Sequence, residues 1–438
     1  MARKKYLHEG ADIMNSSERD IFLECVMRYP ILRSSGVRAG LFFLNFFLVI
    51  TTLYQLKPAS RSLFIEFMGS ARLPYIWIAV ALSMGLFLSI YHRLVARLSR
   101  QRIVMGSVLA FGIALLLFRV WFFYPGKIAA IAFYIFVDIL GVVLVEQFWS
   151  LVNSVYSSRE GKSWYGLVGT GGLLGGVTGG GISALLIRYT PMKTDDLLIS
   201  AATTLFIVLT LTAIMGRCGL FCEVDETKAG PKPDKIGSPT DFKRYLILIA
   251  VILMLSQLIS PITEYLFMNT VETTYTDIEA RTAFLSFFFS LLSAISIGVN
   301  LMITPLVHRF LGPVAGLLAQ PLAIMVFSAL FFFNSTLLFA GATRIGDRGL
   351  SYSINRASKE LLYVPIGSLL IYRAKAWIDM LGYRLFKVFG SALILLVTGL
   401  TQASVHFACL SMTAISGCAL WILVVGFIGR EYRSYQTE

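Results

Sequence analysis

Of the 438 residues, 56% are hydrophobic and only 14% charged, and mean hydropathy is +0.73. So few charges cannot coat the surface of soluble domains of this length, which excludes a soluble enzyme and requires much of the surface to face lipid. The net charge of +13 reads as the cationic bias of cytoplasmic loops, not as a nucleic-acid footprint, because no basic stripe with interleaved aromatics lies outside the apolar segments.

The first 38 residues are too polar for a signal peptide. Residues 1–5 form a basic tail, and 10–28 suit a short amphipathic helix on the membrane surface. Apolar runs of roughly 20 residues then predict spans over 40–56, 74–94, 104–124, 129–152, 166–187 and 198–215. A hydrophilic stretch with Pro231, Pro233 and Pro239 covers 223–243, and spans follow over 245–268, 283–306, 312–333, 337–352, 383–401 and 407–428. The expectation is an all-α membrane protein of about twelve transmembrane helices in two six-helix halves, a major-facilitator-type layout. Its divisions are a cytoplasmic N-terminal segment 1–38, a first half 39–216, a cytoplasmic linker 217–243, a second half 244–429 and a cytoplasmic tail 430–438.

Arg93, Arg97, Arg100, Arg102, Arg159, Lys162, Lys228, Lys232, Arg309, Arg373 and Arg430 all fall in alternate loops or in the tail. By the positive-inside rule both termini are cytoplasmic and the membrane is the inner one. Tyr91-His-Arg-Leu-Val echoes Leu306-Val-His-Arg-Phe at matching loops, as an internal repeat would.

Cys25, Cys218, Cys222, Cys409 and Cys418, with four scattered histidines, make neither a metal-ligand set nor a disulfide framework. No cofactor and no metal are expected, and no Ser/His/Asp set is present. The run Gly169 to Gly181 lacks the Gly and Lys-Ser/Thr spacing of a phosphate loop. Gly171, Gly175 and Gly179 fall on one helix stripe and Gly172, Gly176 and Gly180 on the next, a pattern for close helix packing. The tryptophans, including Trp77, Trp121, Trp149, Trp164, Trp377 and Trp421, fit mostly in interfacial belts.

Charges inside apolar spans are costly in lipid and mark a cavity or internal pairing. Lys57 ends the first span, followed by Pro58, with Arg61 and Glu66 in a short connector. Asp138 and Glu146, eight residues apart in the fourth span, lie about 80° apart around the helix axis. Glu264 is near the end of the seventh span, and Arg344, Asp347 and Arg348 sit in the tenth, with Lys359, Glu360, Lys375 and Asp379 after it. A surplus of cations in such a cavity suits a small anionic, phosphate-bearing solute.

The chain resembles the ATP/ADP translocase family of plastids and obligate intracellular bacteria. The likeness rests on Lys57-Pro58, on Phe133-Tyr-Ile-Phe-Val-Asp-Ile-Leu-Gly141 and on Phe148-Trp-Ser-Leu151 with Gly161-Lys162, Tyr165-Gly166 and the glycine run. In the second half it rests on Glu264, on Ser358-Lys-Glu-Leu-Leu-Tyr-Val-Pro365 and on Lys375-Ala-Trp-Ile-Asp379. Asp138 stands where that family has glutamate, Met268 where it has a lysine, and Arg61 one residue later than its arginine. The resemblance implies nucleotide exchange by alternating access, with Lys57 and Lys359 or Lys375 on phosphates and Asp138 and Glu264 coupling opening to occupancy. Arg61, Glu146, Arg344 and Asp347 are secondary candidates. The alternative is a major-facilitator transporter of another solute, phosphorylated or proton-coupled through Asp138, Glu146 or Glu264; a non-transport partner-binding role ranks below both. A monomer in the lipid bilayer is expected, with no nucleic-acid partner.

Overall fold

The computed structural model describes residues 34–95, 100–156, 158–218, 220–221, 243–362, 383–402 and 405–437. The surface segment 10–28, the linker 223–242, Tyr363 to Pro365 of the second-half motif, Lys375, Trp377 and Asp379 lie outside them.

Among the described residues every long element is a helix, as hydrocarbon demands, because a helix satisfies its own backbone groups. The first set is α1 (Ser35–Met68), α2 (Leu73–Val95), α3 (Arg100–Trp121), α4 (Lys127–Val155), α5 (Ser158–Tyr189) and α6 (Leu197–Arg217). The second set begins with α7 (Lys243–Thr274) and α8 (Ile278–Gly298), the latter running through a π-turn (Val299–Ile303) into α9 (Thr304–Phe310). Next come α10 (Gly312–Phe333) and α11 (Leu337–Leu350), which passes through a second π-turn (Ser351–Asn355) into α12 (Arg356–Leu362). The set closes with α13 (Tyr383–Leu400) and α14 (His406–Thr437). Ten of these segments are long and apolar enough to cross a membrane. The expected tenth span is withheld from that number by Arg344, Asp347 and Arg348, and the eleventh by its short length.

Three expectations change. The first span does not end at Lys57: α1 continues through Pro58 for 34 residues, so Lys57, Arg61 and Glu66 all ride on one helix. Proline removes one backbone donor but is held in a spanning helix by its neighbours, and the residues after it, Ala59 to Ile65, are all buried. Glu264 is not near a helix end, since α7 continues ten residues beyond it to Thr274. Trp77 and Trp421 are 2% and 0% exposed, core residues where interfacial ones were expected, whereas Trp121 is 44% exposed.

The glycine stripes pack as their spacing predicts. A methyl group on Gly171 or Gly179 would lie 2.5 Å from the carbonyl oxygen of Phe43 or Thr51 on α1. One on Gly180 would lie 2.6 Å from the Ser286 carbonyl oxygen on α8, and one on Gly176 2.6 Å from Ser293 Oγ. Helix α5 is therefore wedged between α1 and α8, backbone to backbone on both sides, and joins the two sets of helices.

At the end opposite Ser35, the short turns Ser70–Arg72 and Thr194–Asp196 meet the second set. Arg281 Nη1 is 3.1 Å from Glu66 Oε2, the Ser70 amide donates to Glu272 Oε2 at 2.9 Å, and the Thr194 amide donates to Glu279 Oε2 at 3.1 Å. Asn269 Nδ2 donates to Ser70 Oγ at 2.9 Å. This distal end is closed.

Candidate substrate site

Four-residue helical spacing builds the site. On α4, Tyr134 and Asp138 are one turn apart and face α1; on α1, Lys57 and Arg61 are one turn apart and face back. Arg61 Nη2 meets Asp138 Oδ1 at 2.6 Å, with the two side chains 9% and 14% exposed. The Arg61 guanidinium carbon lies 4.3 Å from the centre of the Tyr134 ring, and Trp77 Nε1 on α2 donates to the Tyr134 hydroxyl at 2.9 Å. Lys57 Nζ lies 5.3 Å from the centre of the Tyr54 ring.

The second set contributes a denser cluster. Arg344 Nη2 is 2.7 Å from Glu264 Oε2 and its Nη1 is 2.9 Å from Asp347 Oδ2. Arg348 stands 4.0 Å from Glu264 and 3.9 Å from Asp347. Ser260 and Thr263 donate their hydroxyls to Asp347 Oδ2 at 2.7 and 2.9 Å, and Gln320 Nε2 donates to Oδ1 at 3.2 Å. Asp347 is thus held by α7, α10 and α11 together, and the buried Nε of Arg344 has no acceptor. The two clusters feel each other, since Glu264 lies within electrostatic range of Arg61 and Tyr134.

Asp138 with Arg61, and Glu264 with Arg344 and Asp347, are the expected residues that the structure brings together. Lys57 joins them one turn along α1. Glu146 does not: it is exposed two turns further along α4. Lys359 is half-buried on α12, eleven residues past Arg348 and so about 16 Å along the helix axis. Arg348, read with the other charges of the tenth span, joins the site, and Trp77, Tyr134 and Lys387 join it without having been expected in it. Lys387 Nζ, from α13, lies 5.8 Å from the centre of the Trp77 ring, and its charge acts on Glu264. Its sequence signal is a lysine four residues into an apolar span. Among the described residues, Lys57, Arg61, Arg344, Arg348 and Lys387 face three acids, Asp138, Glu264 and Asp347, a surplus of two positive charges. In a low-dielectric interior that surplus calls for an anion.

Spanning helices around a central polar seam define an integral membrane protein of major-facilitator-type fold. The crystal structure of nucleoside transporter NupG (D323A mutant) aligns with TM-score 0.62 and 12% identity over 88% of this chain and 99% of that one. That of a D-xylose-proton symporter aligns with TM-score 0.62 and 11% identity, over 89% and 96%. Residues 127–224 and 335–432 match the model of the TLC ATP/ADP transporter family, a family of transporters and not of enzymes. Each match covers three successive spans in corresponding places of the two sets. ADP,ATP carrier protein 2 of Chlamydia trachomatis serovar D is 23% identical over 348 residues, 68% of this chain; the chain spans 64% of that relative's length.

Proposed function

We propose that this protein exchanges nucleotides across the membrane by alternating access, its two six-helix halves rocking about the central seam. The observation that carries the reading is the surplus of cations over acids on facing spans of the two sets, in a chain that matches an ATP/ADP transporter family. Phosphoryl oxygens fit guanidinium and ammonium donors, and interleaved acids occupy those donors when the site is empty. The relative named an ADP,ATP carrier supports an adenine nucleotide as the exchanged solute. The loop cations support an inner-membrane placement with both termini in the cytoplasm, and the distal closure then lies on the outer side.

Lys57 is placed with the phosphate-engaging cations, and Asp138 and Glu264 are the acids released on binding. Lys359, half-buried on α12, belongs to the path from the cytoplasm. A proton-coupled carrier of another solute is the weaker reading. Asp138 and Glu264 each lie within 2.7 Å of a guanidinium, so protonating Asp138 would abandon the buried Arg61 and protonating Glu264 would cost Arg344 one of its two carboxylates.

The test is uptake of labelled ATP into proteoliposomes preloaded with ADP, against empty ones. Uptake that requires internal nucleotide is the expected result. Uptake into empty vesicles that an uncoupler abolishes would transfer the protein to the second reading.

A further inference from the structure

Helices α3 and α6 pack side by side, and their seam closes at two levels. A methyl group on Gly112 would lie 3.3 Å from the Phe206 ring, and one on Gly216 would collide with the Gln101 amide, which also reaches Met105 Sδ at 3.7 Å. Between those levels the helices part. Gly106 and Leu109 of α3 and Thr210, Ala213 and Ile214 of α6 line a groove of about 440 Å³. Gly106 makes the room, since a methyl group there would meet nothing within 4 Å.

The groove opens onto lipid and not onto the polar seam. Gly106, Leu109, Thr210 and Ile214 are exposed, and Ile113, Leu117 and Ile207, exposed further along the two helices, are apolar. The inward face of α3 is the other one: Val104 and Val108, about 160° around the axis from Gly106, are buried. The Thr210 hydroxyl is turned back onto the Phe206 carbonyl at 2.8 Å, which leaves the walls apolar. From Gln101 to Gly112 the groove runs roughly 16 Å along the helix axis, the depth of one leaflet of a ~30 Å hydrocarbon core.

One end of the groove is cationic. Arg217, one turn past Ala213 and the last residue of α6, stands at its rim, and Arg102, one turn before Gly106, is exposed on the same face of α3. The contact of Gln101 with Gly216 puts these two arginines, each the next residue in the chain, at one level. Neither helix carries an acidic residue. An apolar slot that faces lipid and ends in guanidinium groups is complementary to a molecule with a hydrocarbon chain and an anionic head.

We propose that this groove binds an anionic glycerophospholipid. One acyl chain lies along Gly106 between α3 and α6, and the phosphodiester accepts from Arg217 and Arg102. In the orientation proposed above, the lipid belongs to the cytoplasmic leaflet. The bound chain takes the place of the side chains that the seam lacks there and holds α3 to α6. The site is separate from the central seam, and its occupant does not depend on which solute is exchanged.

The experiment uses native mass spectrometry to count lipids retained by the purified full chain, delipidated in neutral detergent and titrated with dioleoylphosphatidylglycerol or dioleoylphosphatidylcholine. The wild type is expected to hold one phosphatidylglycerol about tenfold more tightly than phosphatidylcholine, the scale of one charge-assisted contact. Arg217→Gln combined with Arg102→Gln should bring the two lipids level. Gly106→Leu fills the groove and favours the helix, so it should fold and hold neither lipid tightly. Gly85→Leu, at another exposed glycine with open space around it, is the control and should change nothing. Equal retention of the two lipids by the wild type would overturn the proposal. So would Gly106→Leu holding phosphatidylglycerol as the wild type does, since the lipid would then sit elsewhere. Glycerol phosphate that displaces the lipid at equal concentration would mean that the arginines hold a free phosphate and the groove is idle. Should Gly106→Leu fail to fold, the paired arginine variant decides alone: a preference for phosphatidylglycerol that survives it sinks the proposal.

Discussion

Arg61 and Asp138, 77 positions apart, meet at 2.6 Å between α1 and α4 where both side chains are nearly shut off from solvent. The pair is more than a fastening. Arg61 also covers the Tyr134 ring that holds Trp77, and Glu264 of the other set lies in its electrostatic range. A change at Asp138 is therefore felt at the inter-set seam.

Asp138→Asn should lower the thermal stability of the purified protein by the cost of an orphaned buried arginine, about 3–5 kcal/mol. It should also reduce exchange in proteoliposomes at least tenfold. Asp138→Glu restores the charge one methylene further out and is expected to keep most of the exchange. Adding Arg61→Gln to Asp138→Asn should recover stability without recovering exchange. Equal stability of Asp138→Asn and wild type in a melting experiment would show that the pair is not desolvated.

Arg344 serves two acids at once, Glu264 through Nη2 and Asp347 through Nη1. A lysine there is a single point charge and cannot hold both. Arg344→Lys is therefore expected to cut exchange by an order of magnitude or more, and Arg344→Gln further, since it leaves two buried carboxylates facing each other. Steady-state exchange with varied external ATP measures this. An Arg344→Lys carrier with wild-type turnover would place Arg344 outside the moving parts.

The spans were legible because lipid imposes length and apolarity on every one, and the glycine stripes because small residues four apart have one packing use. The unpaired-looking charges of the tenth span were legible as internal for the same reason: Arg344 and Asp347 have nowhere else to go. What failed was depth and direction. Pro58 read as a stop, which hid the fact that Lys57, Arg61 and Glu66 share α1. Trp77 read as an interfacial anchor, because sequence gives no sign of the Tyr134 hydroxyl waiting for its N–H. Motif likeness pointed to Lys57, Lys359 and Lys375 and passed over Lys387, whose contact crosses from α13 to α2, a pairing that no local pattern encodes.

Gly169 and Gly179 make a controlled comparison on one helix. A methyl group on Gly169 meets nothing within 4 Å, whereas one on Gly179 meets the Thr51 carbonyl oxygen at 2.5 Å. Gly169→Ala should be neutral or stabilising by up to about 1 kcal/mol from helix propensity. Gly179→Ala should destabilise by about 1–3 kcal/mol through overpacking. Gly180→Ala pushes α5 off α8, which belongs to the other set, and so should impair exchange more than its melting temperature suggests. Equal melting temperatures for Gly169→Ala and Gly179→Ala would contradict the wedged position of α5.

The distal closure yields the last prediction, because its two charges are unequally placed. Glu66 is 39% exposed at its side chain and Arg281 only 4%. Losing the Glu66 carboxylate costs the closed end about 1 kcal/mol at most, as for a solvated pair. Arg281 does more: it also donates to the Tyr275 and Thr276 carbonyls at 3.0 and 3.1 Å, so it ties the start of α8 to the preceding loop as well as to α1. Arg281→Gln should therefore open the distal end further than Glu66→Gln does, and each ~1.4 kcal/mol of bias moves the open-to-closed ratio tenfold. The reporter is Ser70, fully buried at that end and bonded to Glu272 and Asn269. A Ser70→Cys carrier should react slowly with an impermeant maleimide added from the distal side, faster with Glu66→Gln added, and fastest with Arg281→Gln. Labelling that is already rapid in the Ser70→Cys carrier alone would mean that the closed distal end is not the resting state in the membrane.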